Sequence, residues 1–206
     1  MKKIFLTTTI FFLLATVIFA QEPKSVNDAK GLSVGTTVPD FSAIDAHNNK
    51  FILSENLKKG PVIVIFYRGN WCPVCTQHLG KVQDSLEIII KTGATIVAVS
   101  PERPEKIEKM EEKTGAKFAL LYDDGYKISE AFDVDFNPTK LEKFKYNKFL
   151  NADIAEAHSD DSERLPIPAT FIISKEGKII WRHFNPNYKK RASVKEIFLA
   201  LAQLKR

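Results

Sequence analysis

Cys72 and Cys75 are the two cysteines of this 206-residue chain, and they share the run WCPVC. A disulfide between them would close a very small loop and constrain the unfolded chain little, so the pair is poorly suited to stapling a fold. It is better suited to a bond that forms and breaks. Metal binding is the competing chemistry, but a zinc site takes four ligands and there is no second cysteine pair. Covalent haem attachment needs a histidine directly after the second cysteine, where Thr76 stands. No metal and no cofactor is therefore expected, and the chemistry expected of Cys72 and Cys75 is redox.

The flanking residues place the pair. PVIVIFY (61–67) is a β-branched and aromatic run bounded by Gly60 and RGN, the pattern of a strand buried on both faces. From Thr76 to Lys91, apolar residues at Leu79, Val82, Leu86 and Ile89 or Ile90 recur at helical spacing and stop before Gly93. The cysteines thus fall where a strand feeds the first turn of a helix. Unpaired amides and the helix dipole favour a thiolate there, and cysteines so placed have pKa values of ~3.5 to 7.5. Pro73 suits a first-turn position because its missing N–H has no helical partner.

The same alternation continues along the chain. TIVAVS (95–100) is a second parallel-type strand, PERPEKIEKMEEKTG (101–115) a charge-rich solvated helix, FALLYD (118–123) a short strand and YKISEAFDV (126–134) a short helix. ATFIIS and KIIWRHF, joined by KEG, form a hairpin over 169–184. SVKEIFLALAQL (193–204) closes the chain as a helix capped by Ser193, with Val194, Ile197, Phe198, Leu201 and Leu204 on its inner stripe. Between Asp135 and Arg164 a lysine-rich insertion carries Leu141, Phe144 and Phe149 on a short helix, then a polar loop with His158, Ser159 and Asp160 at its rim. His47, His78 and His183 are scattered and receive no role. These elements specify an α/β protein with a mixed central sheet covered by helices on both faces.

Lys2 and Lys3 precede an apolar run from Ile4 to Phe19 that ends on Ala20, the layout of an export signal over residues 1–20. The run is short for a membrane span, which needs ~20 residues. Residues 21–33 read as a linker and 34–206 as one domain, so the mature protein is expected in the periplasm or outside the cell, with no stable membrane span after processing. The formal charge of +5 includes those two lysines, and the remainder is too small and too evenly spread to imply nucleic acid.

FYRGNWCPVC followed by TQHL, VGTTVPDF (34–41), AVSPE (98–102), FALLYDDG (118–125) and LPIPATFIIS (165–174) together resemble the peroxiredoxin-like branch of the alkyl hydroperoxide reductase and thiol-specific antioxidant family. The resemblance runs from about residue 34 to the C-terminus. It implies a thioredoxin-like fold with an N-terminal β-hairpin extension over roughly 38–60. It also implies reduction of hydroperoxides by a cysteine that becomes a sulfenic acid and is recycled by thioredoxin or a similar dithiol. The family's Thr-x-x-Cys places its attacking cysteine on Cys75, with Cys72 where the threonine stands. Thioredoxin-like reductases instead attack with the first cysteine of CxxC, so both patterns coincide in one motif.

Besides Cys72 in the threonine's place, a second position departs from the family. Its peroxide-polarising arginine lies two residues before the Thr or Ser of the late strand, which counted back from Thr170 is Pro168. A proline at that place resembles the cis-proline that thioredoxins pack against their CxxC, or else it simply starts an edge strand. Arg68, four residues before Cys72, is the candidate replacement charge, and Tyr67 and Trp71 complete the expected surroundings. The expected function is a thiol-dependent peroxidase. The alternatives are a disulfide reductase using the same pair, and a thioredoxin-fold copper carrier using Cys72, Cys75 and a loop histidine such as His158. Soft thiolates would hold Cu(I), although such carriers usually space their cysteines by three residues.

Overall fold

The computed structural model describes residues 24–203. The expected export signal at 1–20 therefore lies outside the described residues. The chain begins with a hairpin, β1 (Ser42–Ile44) and β2 (Lys50–Ile52), followed by α1 (Leu53–Leu57), β3 (Val62–Phe66), α2 (Pro73–Asp84) and α3 (Leu86–Ile90). Then come β4 (Thr95–Ser100), α4 (Pro104–Thr114), β5 (Ala119–Tyr122), α5 (Lys127–Ala131) and β6 (Asp135–Phe136). The remainder is α6 (Lys140–Leu150), α7 (Ile154–Ala157), β7 (Leu165–Pro166), β8 (Ala169–Ile173), β9 (Ile179–Phe184) and α8 (Val194–Gln203).

Five strands form the central sheet in the order β5-β4-β3-β8-β9. β3, β4 and β5 run parallel, while β8 is antiparallel to β3 and β9 antiparallel to β8. β3 is the middle strand and all five of its residues are buried. Its side chains alternate between two cores, as the pleat requires. Ile63 and Ile65 join Leu79 and Val82 of α2, Ile107 and Met110 of α4, and Ile197 and Leu201 of α8. Val62, Val64 and Phe66 face the other way, onto Leu53 and Leu57 of α1 and Ile128 of α5. A central strand with apolar matter on both sides is rigid, and its C-terminal end delivers the cysteines.

Residues 24–33, where a linker is expected, lie along this frame. Lys24 Nζ donates to Asp133 at 2.6 Å and Asp135 at 2.9 Å, and Arg182 Nη1 donates to the carbonyls of Lys30, Gly31 and Leu32 at 3.0, 2.8 and 2.9 Å. Among the described residues no helix is long and apolar enough to cross a membrane.

The structure corrects four readings of the sequence. The helix expected over 76–91 breaks at Ser85 (φ −110°, ψ 9°), which turns the chain so that Leu86 and Ile89 also reach the core. α6 exists, with a Thr139–Glu142 capping box, but Leu141, Phe144 and Phe149 are 61, 59 and 72% exposed. The inner face of α6 is taken by Tyr146 and Leu150, which pack on the core beside the cysteines. On α8, Phe198 is 40% exposed and Ala200 occupies the buried stripe in its place. The segment after α6 is not all loop, because α7 and β7 order it and β7 pairs with β6.

Candidate active site

β3 ends at Phe66 and the chain continues through Tyr67, Arg68, Gly69, Asn70 and Trp71 to Cys72, the N-cap of α2. The turn is fastened from β4's side of the sheet: Glu102 accepts hydrogen bonds from the Asn70 amide and from Asn70 Nδ2, both at 2.7 Å. Gly69 is required for this approach. A Cβ on it would collide with the Trp71 indole nitrogen and lie 2.7 Å from Glu102 Oε1. Pro73 opens the helix at N1, as expected, and the amides of Cys75 and Thr76 donate to the Cys72 carbonyl at 2.9 and 3.1 Å. The two sulfurs therefore occupy the first turn of one helix, on its positive end.

Both cysteines are free thiols and both are fully buried. Each receives a guanidinium. Arg68 Nη2 donates to Cys72 Sγ at 3.3 Å, and Arg191 Nη2 donates to Cys75 Sγ at 3.3 Å. Arg68 is itself only 2% exposed and is clamped by rings, with its guanidinium carbon 5.0 Å from the Trp71 centroid, 4.9 Å from Tyr146 and 3.8 Å from Tyr188. Such contacts contribute ~0.5 to 2 kcal/mol each. Arg191 is oriented by its Nε–H, which donates to the Tyr188 carbonyl at 2.7 Å. Residues of the β9–α8 connection thus close over both sulfurs.

The electrostatics divide the pair. Burial opposes charge on Cys75, but the hydrogen bond from Cys72 and the charges of Arg191 and Arg68 outweigh it and hold its pKa well below the usual thiol value. Cys72 is pushed up, first by its hydrogen bond to Cys75, then by burial and by the charge on Cys75, with Arg68 pulling the other way. Both shifts favour the negative charge on Cys75 rather than on Cys72. Burial also raises Glu102 to about 8 and lowers His78 to about 4.

Of the residues singled out in the sequence, Arg68 and Trp71 are brought onto the cysteine pair. Tyr67 is fully buried at the end of β3, and Thr170 is buried on β8, in register with Ile65 of β3. Pro168 departs from the thioredoxin pattern: among the described residues there is no cis peptide bond. Nor does it start an edge strand, because β8 lies between β3 and β9. It precedes the strand, so its missing N–H costs no ladder bond. His158 is buried against Tyr126, whose hydroxyl is 2.8 Å from His158 Nδ1. Among the described residues no group of three His, Cys, Asp or Glu side chains is placed to hold a metal.

The sequence reading missed Arg191, Tyr146, Tyr188, Glu102 and His78. Arg191 stands 116 residues from Cys75, in the run KKRAS, and no local pattern distinguishes it from the lysines before it. Tyr146 carried a signal, since it lies on the helix face opposite Leu141 and Phe144.

A buried cysteine pair at a helix mouth, with charge favoured on one sulfur over the other, on a mixed sheet with an N-terminal hairpin, defines a thiol oxidoreductase of the thioredoxin-like fold. The profile of the AhpC/TSA family matches residues 34–182, and the chain belongs to that family. It is 34% identical over 154 residues to Peroxiredoxin Bcp of Bacillus subtilis, covering 73% of this chain and 85% of that protein. It is 24% identical over 174 residues to the thiol-disulfide oxidoreductase ResA of Geobacillus kaustophilus, covering 84% and 82%. In three dimensions it is similar to peroxidoxin BcpB of Mycobacterium tuberculosis, with a TM-score of 0.64, 22% identity and coverage of 84% of this chain and 97% of that one.

Proposed function

We propose that this thiol-dependent peroxidase reduces hydroperoxides by attack of Cys75, with Cys72 as the resolving thiol. The observation that carries this reading is the Cys75 sulfur bonded to Arg191, with its pKa lowered and the Cys72 sulfur in the same helical turn. Cys75 sulfur forms a bond to the terminal peroxide oxygen, the O–O bond breaks, and the alkoxide takes a proton from water to leave as alcohol. Cys75 is now a sulfenic acid. Cys72 attacks it, the disulfide forms, and the hydroxyl departs as water with the Cys72 proton. Two electrons from an external dithiol, of thioredoxin type, restore the pair.

Burial of both sulfurs means the cover of Tyr188 and Arg191 moves for substrate and reductant to enter. Export to the periplasm or cell exterior is part of the proposal and is supported by the layout of residues 1–20. Likeness to ResA supports a second reading, in which the same pair reduces protein disulfides. Stopped-flow oxidation of the reduced protein by hydrogen peroxide decides between them. The expected result is oxidation far faster than that of a free thiol, retained as a single sulfenic acid in Cys72→Ser and abolished in Cys75→Ser. A wild-type rate equal to that of a free thiol would leave disulfide reduction as the description.

A further inference from the structure

The outer side of α6 is unlike an ordinary solvated helix face. Its exposed residues are Lys140, Leu141, Phe144, Lys145, Lys148 and Phe149, which recur at the spacing of one helical face. Half of them are lysines, half are large and apolar, and none is an acid. Leu141, Phe144 and Phe149 are 61, 59 and 72% exposed. The acid of this helix, Glu142, is withdrawn from the face, its carboxylate accepting from the Thr139 amide at 2.9 Å and hydroxyl at 2.8 Å. α4, of the same length, sets the contrast: its exposed residues are all charged, acids mixed with lysines, while Ile107 and Met110 are buried.

The order of residues around the helix says what can cover this face. At about 100° per residue, Lys148 projects between Leu141 and Phe144, and Lys145 between Leu141 and Phe149. The lysines thus stand inside the apolar stripe rather than around its rim. A protein partner would have to bury those ammonium groups at the centre of its interface, where lysine is depleted. A second copy of this chain would set lysines against lysines. A bilayer surface accepts the mixture, because the apolar side chains enter the acyl boundary while the lysine stems run beside them and carry their charges out to the headgroups. Positive charge without a neighbouring acid selects anionic lipid. With eleven residues, α6 is about 16 Å long, too short to span a bilayer, so it would lie on the surface.

We infer that the outer face of α6 docks the protein on anionic phospholipid bilayers, with Leu141, Phe144 and Phe149 inserted and Lys140, Lys145 and Lys148 at the phosphates. The inference does not depend on which reaction the cysteines perform. It does place that reaction: the inner side of the same helix holds Tyr146 over Arg68 and Leu150 on the core. Docking therefore sets the rings that cover Arg68 about one helix diameter, ~10 to 12 Å, from the lipid.

The test measures sedimentation of the protein with vesicles of phosphatidylcholine and phosphatidylglycerol, mixed at about two to one, and with vesicles of phosphatidylcholine alone. The chain used begins at Gln21, because the apolar run 4–19 would bind lipid by itself, and every described strand and helix lies beyond that point. Binding is expected on the anionic vesicles at low salt and little on the neutral ones. A lysine near an anionic surface is worth about fivefold, so Lys145→Gln/Lys148→Gln should weaken binding by roughly 25-fold. Phe144→Ser/Phe149→Ser should weaken it by about tenfold or more. Lys109→Gln/Lys175→Gln, which removes the same charge from α4 and the β8–β9 turn, should change it by less than about twofold. All these side chains are exposed, so the thermal unfolding midpoints should stay at the wild-type value. A wild type that ignores anionic vesicles overturns the inference, and so does binding that either α6 variant retains in full, since loss through the lysines alone is adsorption without insertion. A wild-type dimer that Phe144→Ser/Phe149→Ser converts to monomer gives the face to a second copy and overturns it as well. A photo-crosslinker in place of Lys148 that yields protein adducts and no lipid adducts in the producing cell gives the face to a protein partner, with the same consequence.

Discussion

Replacing Arg191 with Met removes a positive charge from Cys75 while keeping most of the side-chain volume. The bonded nitrogen is 3.3 Å from sulfur, which puts the centre of the delocalised charge about 4 Å away. At that distance the attraction is about 4 kcal/mol at an effective dielectric constant of roughly 20 and about 1 kcal/mol in water. Arg191 is partly exposed, so the true value lies between these limits, and losing it raises the Cys75 pKa. The thiolate population is read from its ultraviolet absorbance as a function of pH, with alkylation rate as a second probe. In wild type the lowered Cys75 pKa keeps its alkylation less dependent on pH than that of a free thiol. In R191M the rate climbs with pH toward a new, higher midpoint, and peroxide oxidation climbs in parallel. A folded R191M protein whose titration coincides with that of wild type would refute the electrostatic account of this site.

Other substitutions probe the remaining parts. Arg68→Met should raise the Cys75 pKa and slow its attack, though less than Arg191→Met does, and should also slow disulfide closure, because both sulfurs lose a cation that favours their ionised forms; trapping with a sulfenic-acid reagent should show the intermediate accumulating. Gly69→Ala should destabilise the protein by roughly 1 to 3 kcal/mol, read from denaturant midpoints, because the added methyl pushes on Trp71 and Glu102. His78 and His158 are held near 4 by burial, against ~6.5 when unfolded. Their contribution is fully present above pH 6.5 and is lost as pH falls through 4, by roughly 3 kcal/mol each at most; His158→Gln should remove part of that acid limb from the pH dependence of unfolding. Glu102 has the opposite sign, because its folded value of about 8 makes its contribution complete below the unfolded value and lost as pH rises through 8. Glu102→Gln should therefore gain on wild type by roughly 1.4 kcal/mol per pH unit between those limits.

The central sheet was legible because each buried strand is a continuous β-branched run, and PVIVIFY and TIVAVS are ambiguous with nothing else of their length. Cys72, Cys75 and Arg68 were legible because chain order alone places them on one strand end and one helix turn. Arg191 and His78 were not. One reaches the site only when α8 folds back across the sheet, and the other shows its role only when Ala192 arrives to fix its ring. α6 misled for a different reason. Periodicity says that one face of a helix turns inward, but it assumes the apolar face does so. Here the inward face was claimed by Tyr146, whose ring stacks on Trp71 at 5.3 Å and on Arg68, leaving Leu141 and Phe144 in solvent.

The closeness of the two sulfurs also sets a race. In proteins whose second sulfur sits on a remote segment, that segment must unfold and travel before the sulfenic acid is captured, and a second oxidant can overtake it. In the mechanism proposed above the capturing group waits within one helical turn, under the same cover, so the oxygenated state would be brief and irreversible damage to Cys75 by excess oxidant correspondingly suppressed.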